Sequence, residues 1–384
     1  MKKVLLTRYG GIGDMAPMQI VATQLKKRGY EVTFAVRADG PNMNISDLFT
    51  DNPAFDRVLE YRQIGPWNSR CIKTDFGWIS INSIFGDFDL VLDYMNIIEN
   101  NSTSPVSAQG LGNEWQNTRN SNWTNWVDLH LSWANIDPKS VPDDEKRPTF
   151  VVSDIERKQA EKFRKGYDKV YVLQTTASSL SRSWYNGDKL ADLLVAADPK
   201  AVVYYWDASN NVWLQIDAKG KKKVTVSGSP LRFTMLLISA SDFYVGVDTG
   251  FTHIAEGLEK PHIAMYSTVP AWTRAAYYKY QTPIDPGATN PEFYTFNLGL
   301  GDPLRVKEGE DALTERERKV VELYEAGKGP KEAAEALGTS EQGAELELRA
   351  LMAKRASFEQ MQSKALSTVS AEQVLNKIKE VFNV

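Results

Sequence analysis

The stretch Val245–Pro270, VGVDTGFTHIAEGLEKPHIAMYSTVP, decides the fold. The apolar residues from Phe243 to Val247 predict a buried strand that stops on Asp248-Thr249-Gly250. A helix-like run follows, and then a second apolar strand, His262 to Tyr266. A strand that ends on small polar residues and opens a helix leaves unbonded backbone N–H groups at that helix N-terminus. With the helix dipole they form a cradle for an anion such as a diphosphate. Many α/β proteins have such a turn and bind nothing there, so the opposite end of the chain matters. Lys2 to Thr7 (KKVLLT) is a buried-type strand, and Arg8 to Asp14 (RYGGIGD) a glycine-rich turn. Pro17 to Arg28 reads as a helix with Ile20, Val21 and Leu25 on one face, stopped by Gly29, and Glu31 to Val36 is the next strand. Strand, helix and strand in so short a span make a βαβ unit and begin a parallel sheet.

The alternation continues outward from both ends. Asp87 to Tyr94 extends the first sheet, whereas Asn100 to Trp133 breaks the pattern: it is rich in Asn and Ser, carries Trp115, Trp123, Trp126 and Trp133, and reads as a loop with aromatic anchors. After a Pro- and charge-rich connector, Lys139 to Pro148, come a helix at Asp154 to Lys165 and a strand at Lys169 to Leu173. A helix at Asp188 to Ala196, strands at Ala201 to Trp206 and Val224 to Val226, and a helix at Leu231 to Ala240 lead into the opening strand. The expected fold is α/β: two Rossmann-like lobes with a cleft between them, residues 1–150 and 151–304. From 305 to 360 the composition becomes charged and rich in Ala and Leu, with the periodicity of three short helices at Thr314–Ala326, Pro330–Leu337 and Ser340–Arg355. That is the layout of a helix-turn-helix, inserted before a closing amphipathic helix in 361–384.

Bulk properties narrow the function. The 384 residues exceed what one core usually covers, and 42% hydrophobic with 24% charged residues is ordinary globular composition. No apolar run has the length of a membrane span and no signal peptide precedes the first strand, which points to the cytoplasm. The single cysteine, Cys71, excludes an internal disulfide and a cysteine-based zinc site. A net charge of −4 provides no global basic field for nucleic acid, so any DNA contact has to be local.

Taken together, GGIGDMAPM, the RSW segment at Arg182, VGVDTGFTHIAEGLEKP and SAEQVLNKIKEVF resemble glycosyltransferase family 9, the heptosyltransferase-like enzymes. The resemblance covers about residues 1–300 and the last fifteen, in the family's order. It implies the two-lobe GT-B architecture and a metal-independent, inverting transfer from a nucleotide sugar, with no cofactor. Asp14 matches the family's catalytic base, with Gly11 and Gly13 allowing close backbone approach; from residue type alone, Asp14 reads first as a helix N-cap before Pro17. Arg182 falls where the family has a phosphate-binding lysine, on a loop two residues longer. Thr175 and Thr176 match threonines that touch the diphosphate, and Asp248, Thr249, Gly250 and His253 match donor contacts. Asp207 is the nearest counterpart of the acidic residue that grips the nucleoside ribose. Asp87-Phe88-Asp89 copies the DxD pattern of metal-dependent transferases, but it leads a strand and reads as structural.

The insertion departs from the family and bears on the acceptor. A transferase carrying a helix-turn-helix suggests a hydroxymethylated pyrimidine in DNA as acceptor, as in phage enzymes acting in the host cytoplasm, with the base flipped out of the stack. Arg349, Lys354 and Arg355 are its candidate phosphate contacts, and Trp115, Trp123 and Trp126 its candidate acceptor-side residues. Against this, Leu313 to Arg355 holds eight Lys/Arg and nine Glu, a poor charge balance for phosphate binding. A surface-glycan acceptor such as lipopolysaccharide core, and a catalytically silent DNA-binding regulator, are the alternatives; the oligomeric state is left open.

Overall fold

The computed structural model describes residues 1–8, 10–37, 45–64, 69–74, 77–94, 125–177, 182–208, 210–220, 222–227, 231–267, 269–289, 319, 323, 330–340, 343 and 364–382. Its first βαβ unit is β1 (Lys2–Arg8), α1 (Ile12–Lys27) and β2 (Tyr30–Arg37). The helix begins well before Pro17, where the sequence pattern had placed its start. Pro17, buried just beyond the first turn, has no N–H and forgoes one backbone bond of the helix. Three strands absent from the sequence reading follow: β3 (Arg57–Ile64), β4 (Ser69–Thr74) and β5 (Gly77–Ser80). Their charged residues hide the apolar alternation. With β6 (Leu90–Asp93) the first sheet has the order β5-β4-β3-β2-β1-β6. Its β1, β2, β3 and β6 are parallel, and β4 and β5 extend one edge antiparallel.

Trp126–Trp133, expected to be loop, is a helix, α2. The Asn125 side chain caps it, accepting from Val127 N at 2.9 Å and Asp128 N at 3.3 Å. The second half adds α3 (Asp154–Ala160), β7 (Lys169–Gln174), α4 (Gly187–Ala197), β8 (Ala201–Asp207), β9 (Val212–Asp217), β10 (Lys222–Ser227) and α5 (Leu231–Ala240). The decisive stretch then forms β11 (Phe243–Val247), α6 (Gly250–Gly257) and β12 (His262–Met265), followed by α7 (Ala271–Ala275) and β13 (Gln281–Ile284). The second sheet runs β10-β9-β8-β7-β11-β12-β13, parallel except for β9 and β10. In each sheet the chain reverses its direction of winding beside the first strand it lays down, at β1 and at β7. Such switch points open a crevice at the carboxyl ends of the strands.

Of the helical run expected after residue 305, the described residues include α8 (Pro330–Leu337), with the expected bounds and a left-handed Gly338 after it. The closing segment forms α9 (Lys364–Ser367) and α10 (Ala371–Phe382). Val374 and Ile378 of α10 join Leu190 and Val195 in the core on one face of the second sheet, and Phe382 packs on Phe243. Trp184 Nε1 donates to Val369 O at 2.8 Å, fixing the approach to α10. Among the described residues no helix is long and apolar enough to cross a membrane.

The two halves share one buried cluster. It runs from Val4 and Phe34 under the first sheet, through Met18 of α1 and Phe251 and Ile254 of α6, to Val170 and Tyr244 of the second sheet. The connector is stitched to both sides. Glu145 accepts from Gln24 Nε2 at 2.7 Å, while Phe150 N donates to Gly257 O at 3.1 Å. Glu256, buried in α6, accepts from Arg147 Nη1 at 3.2 Å and from the backbone N–H groups of Lys279 and Tyr280 at 2.9 and 3.0 Å. Glu256→Ala strands that arginine and two backbone donors, and is expected to cost about 3–5 kcal/mol in urea unfolding. A loss below about 1 kcal/mol would show that water replaces the carboxylate without penalty.

Candidate active site

At the carboxyl end of β1 the chain turns through Gly10, whose φ of +119° suits only glycine and whose missing side chain leaves room for the Asp14 carboxylate. Asp14 lies in the first turn of α1 and not at a loop tip as expected. Its Oδ2 accepts the Gly11 N–H at 2.7 Å, so it caps the helix while facing the crevice. The N-cap itself is Gly11, so Asp14 caps the helix from its third position and not as the N-cap residue expected from the sequence. Behind it sits Arg8, fully buried, with Nη2 3.4 Å from Asp14 Oδ1 and Nη1 donating to Tyr94 O at 3.0 Å. The sequence pattern shows Arg8 only as the start of the glycine-rich turn.

The second half of the site comes from β7, β11, α6 and α7. Gln174, ending β7, accepts from the Thr249 hydroxyl at 2.8 Å and from Tyr244 at 3.3 Å, which fixes the residue before α6. Arg182 Nη1 donates to Asp248 O at 3.3 Å and stands 3.8 Å from Asp248 Oδ2. His253 is buried, and its Nδ1 meets the Tyr278 hydroxyl. Burial pushes its pKa down to about 4, so the ring is neutral at pH 7 and acts as a hydrogen-bonding group.

The helix N-termini of the two lobes meet at this point. A Cβ on Gly13 would lie 2.9 Å from His253 Nε2, and one on Gly250 would fall on Ile12 Cβ. Between and around them is a cavity of about 330 Å³. Of the residues expected from sequence, Gly11, Gly13, Asp14, Trp126, Thr176, Arg182, Asp248, Thr249, Gly250 and His253 line it. Thr175 does not: it is fully buried, directed at Gly187 of α4, and its hydroxyl has no hydrogen-bond partner among the described residues. Asp207 is not among the lining residues either. It closes a turn at the end of β8, accepting from Asn210 N at 3.2 Å and Asn210 Nδ2 at 2.7 Å. Trp115, Trp123, Arg349, Lys354 and Arg355 lie outside the described residues. Asp89 of the DxD-like triplet accepts from Lys3 N at 2.7 Å, tying the lead-in of β6 to β1.

Gln174 and Arg274 line the cavity without having been singled out in the sequence. Arg274 stands on α7 with its guanidinium over the Trp126 ring. A lone arginine in the otherwise apolar AWTRAA run was the available signal.

A model of glycosyltransferase family 9 (heptosyltransferase) matches residues 114–290. The chain is a glycosyltransferase with a family 9 region. Its fold is shared with the glycosyltransferase family 9 protein of Veillonella parvula DSM 2008, at TM-score 0.53 and 13% identity over 85% of this chain and 96% of that one. It is also shared with the E. coli ADP-heptose lipopolysaccharide heptosyltransferase II, at TM-score 0.52 and 17% identity over 74% and 90%. No curated protein sequence matches the chain.

The histidines of this glycosyltransferase set an acid limit. Burial lowers His130 to about 3 and His253 and His262 to about 4, all from 6.5. In each case the unfolded chain binds the proton more readily, so stability rises with pH across this window. It is complete above pH about 6.5 and is lost as pH falls toward about 4. A melting temperature that drops steeply between pH 6.5 and 4.5 is the expected result; a flat profile would contradict it.

Proposed function

We propose that this glycosyltransferase moves a sugar from a nucleoside diphosphate donor to an acceptor hydroxyl with inversion, and that Asp14 is the base. The carrying observation is that Asp14 and the N-terminus of α6 face one cavity from opposite lobes. Inversion needs this arrangement: the proton acceptor on one side of the anomeric carbon and the leaving group on the other. The Arg8 guanidinium, with Nη2 3.4 Å from Asp14 Oδ1, holds that carboxylate from behind. On the other side, the first N–H groups of α6 and the Arg182 guanidinium suit a departing diphosphate. His253, neutral and held by Tyr278, is a hydrogen-bond partner for the donor's sugar or phosphate. Thr176 and Thr249 complete the donor wall, whereas burial of Thr175 favours a supporting role under that wall.

For the acceptor we infer a hydroxymethylated pyrimidine in DNA. The inference rests on the helix-turn-helix pattern of the insertion, in which Pro330–Leu337 is helical. Its primary hydroxyl is a simple nucleophile for an aspartate base, and a flipped base brings it into a recessed site. The family's heptosyltransferase description favours a second reading, transfer to a surface glycan such as lipopolysaccharide core.

Purified full-length protein, given a panel of nucleotide sugars with hydroxymethylated DNA, unmodified DNA or core oligosaccharide, decides between them. Transfer to hydroxymethylated DNA is expected, and transfer to the oligosaccharide alone would replace the DNA acceptor by the glycan. With the accepted pair, Asp14→Asn is expected to lower kcat by about 10²–10⁴-fold with donor binding retained. Turnover at the wild-type rate would remove Asp14 from the role of base.

A further inference from the structure

The motifs account for one cation facing the cavity, Arg182, but the cavity wall holds a second. Arg274 projects from α7 of the second lobe, and its Nε and Nη1 are out of reach of solvent. Its guanidinium stacks on Trp126 of α2, whose preceding residue is tied to α7 by Asn125 Nδ2 donating to Trp272 O at 2.8 Å. Arginine stacked on an indole face has lost most of its rotamer freedom before any ligand arrives. Arg274 lines the same cavity as Asp14 of the first lobe and Asp248 and Arg182 of the second, and these are the charges it feels most. Burial brings its pKa down only to about 10, and it remains a cation at neutral pH.

We propose that Arg274 is a catalytic residue that binds the donor's diphosphate and takes up the charge developing on it; this rests on the nucleotide-sugar reading above. In the transfer, the acceptor oxygen forms a bond to the anomeric carbon. The bond from that carbon to the phosphate oxygen breaks, its electron pair staying on the oxygen. The acceptor proton goes to Asp14. The nucleoside diphosphate leaves with one more negative charge than it carried as an ester, and that charge grows in the cavity that Arg274 lines. Arg182 is partly exposed and already engaged with the Asp248 carbonyl. Arg274 is fixed by its stack on Trp126, so it meets the new charge without reorganising, which is the condition under which electrostatic stabilisation is most effective. Trp126 is then a positioning residue for the leaving-group side and not an acceptor contact as its sequence neighbourhood suggested.

The test compares wild type, Arg274→Gln, Arg274→Lys and Arg274→Gly. ADP, UDP, GDP and CDP and their monophosphates are titrated calorimetrically, and kcat and KM are measured with the nucleotide sugar that wild type uses. Arg274→Gln is expected to weaken diphosphate binding at least about tenfold and to lower kcat by about 10²–10³-fold. Monophosphate binding should change little. Millimolar guanidinium should restore part of the Arg274→Gly rate, a rescue that a purely structural arginine does not show. Should Arg274→Gln fail to fold, Arg274→Lys carries the test: at wild-type melting temperature it is expected to lose about tenfold in kcat, because the charge is kept and the fork lost. Wild-type kcat in either folded variant, or no guanidinium rescue with folded Arg274→Gly, overturns the assignment. If wild type itself binds no nucleoside diphosphate, the donor reading fails, and this result is distinct from a failure of Arg274 alone.

Discussion

The contact on which the site depends is the meeting of two helix N-termini with glycine on each side. Gly250 opens α6 against Ile12, and Gly13 lies in the first turn of α1 against His253. Any larger residue at either position forces the helices apart. Because the two helices belong to different sheets, this contact sets the distance between the switch points at β1 and β7. It also aims two helix dipoles into the same cavity, giving it a positive potential before any side chain is counted. The shared core from Met18 to Ile254 holds the helices there from behind.

Onto that frame the chain places charges that alternate in sign: Arg8, Asp14, Arg274, Asp248 and Arg182. Isolated in a low-dielectric interior each would be costly, but in sequence they offset one another. The order has a chemical consequence. Asp14 has a cation behind it, whereas the cations near Asp248 face the side where a phosphate leaving group would sit. The neutral His253 adds hydrogen bonding without disturbing this balance.

How much of this could be read from the sequence depended on which force shaped each segment. The parallel core strands declare themselves through uninterrupted apolar runs such as VLL and AVVYY, and the α6 turn through DTG. The strands between Arg57 and Ser80 do not, because Arg, Lys and Glu interrupt their periodicity. Pro17 concealed the true start of α1, and four tryptophans in a polar setting concealed α2, although Asn125 before an apolar run is a legible cap. Within the site, residues in contiguous motifs were recognised and line the cavity. Arg8 and Arg274 were missed because each depends on a partner far along the chain: Asp14 and Tyr94 for one, Trp126 for the other. Thr175 shows the opposite error, a motif position whose side chain turns inward to Gly187.

If helix-to-helix contact sets the site, Gly250→Ala should lower kcat/KM while the protein remains folded, and Ile12→Gly should restore it in the double variant by removing the atom that the new Cβ strikes. The account predicts a loss of at least about tenfold for the single change, the cost of misplacing reacting groups by about an ångström, and recovery of most of it in the pair. Wild-type kcat/KM in Gly250→Ala, or a folded double variant no better than the single, would contradict it.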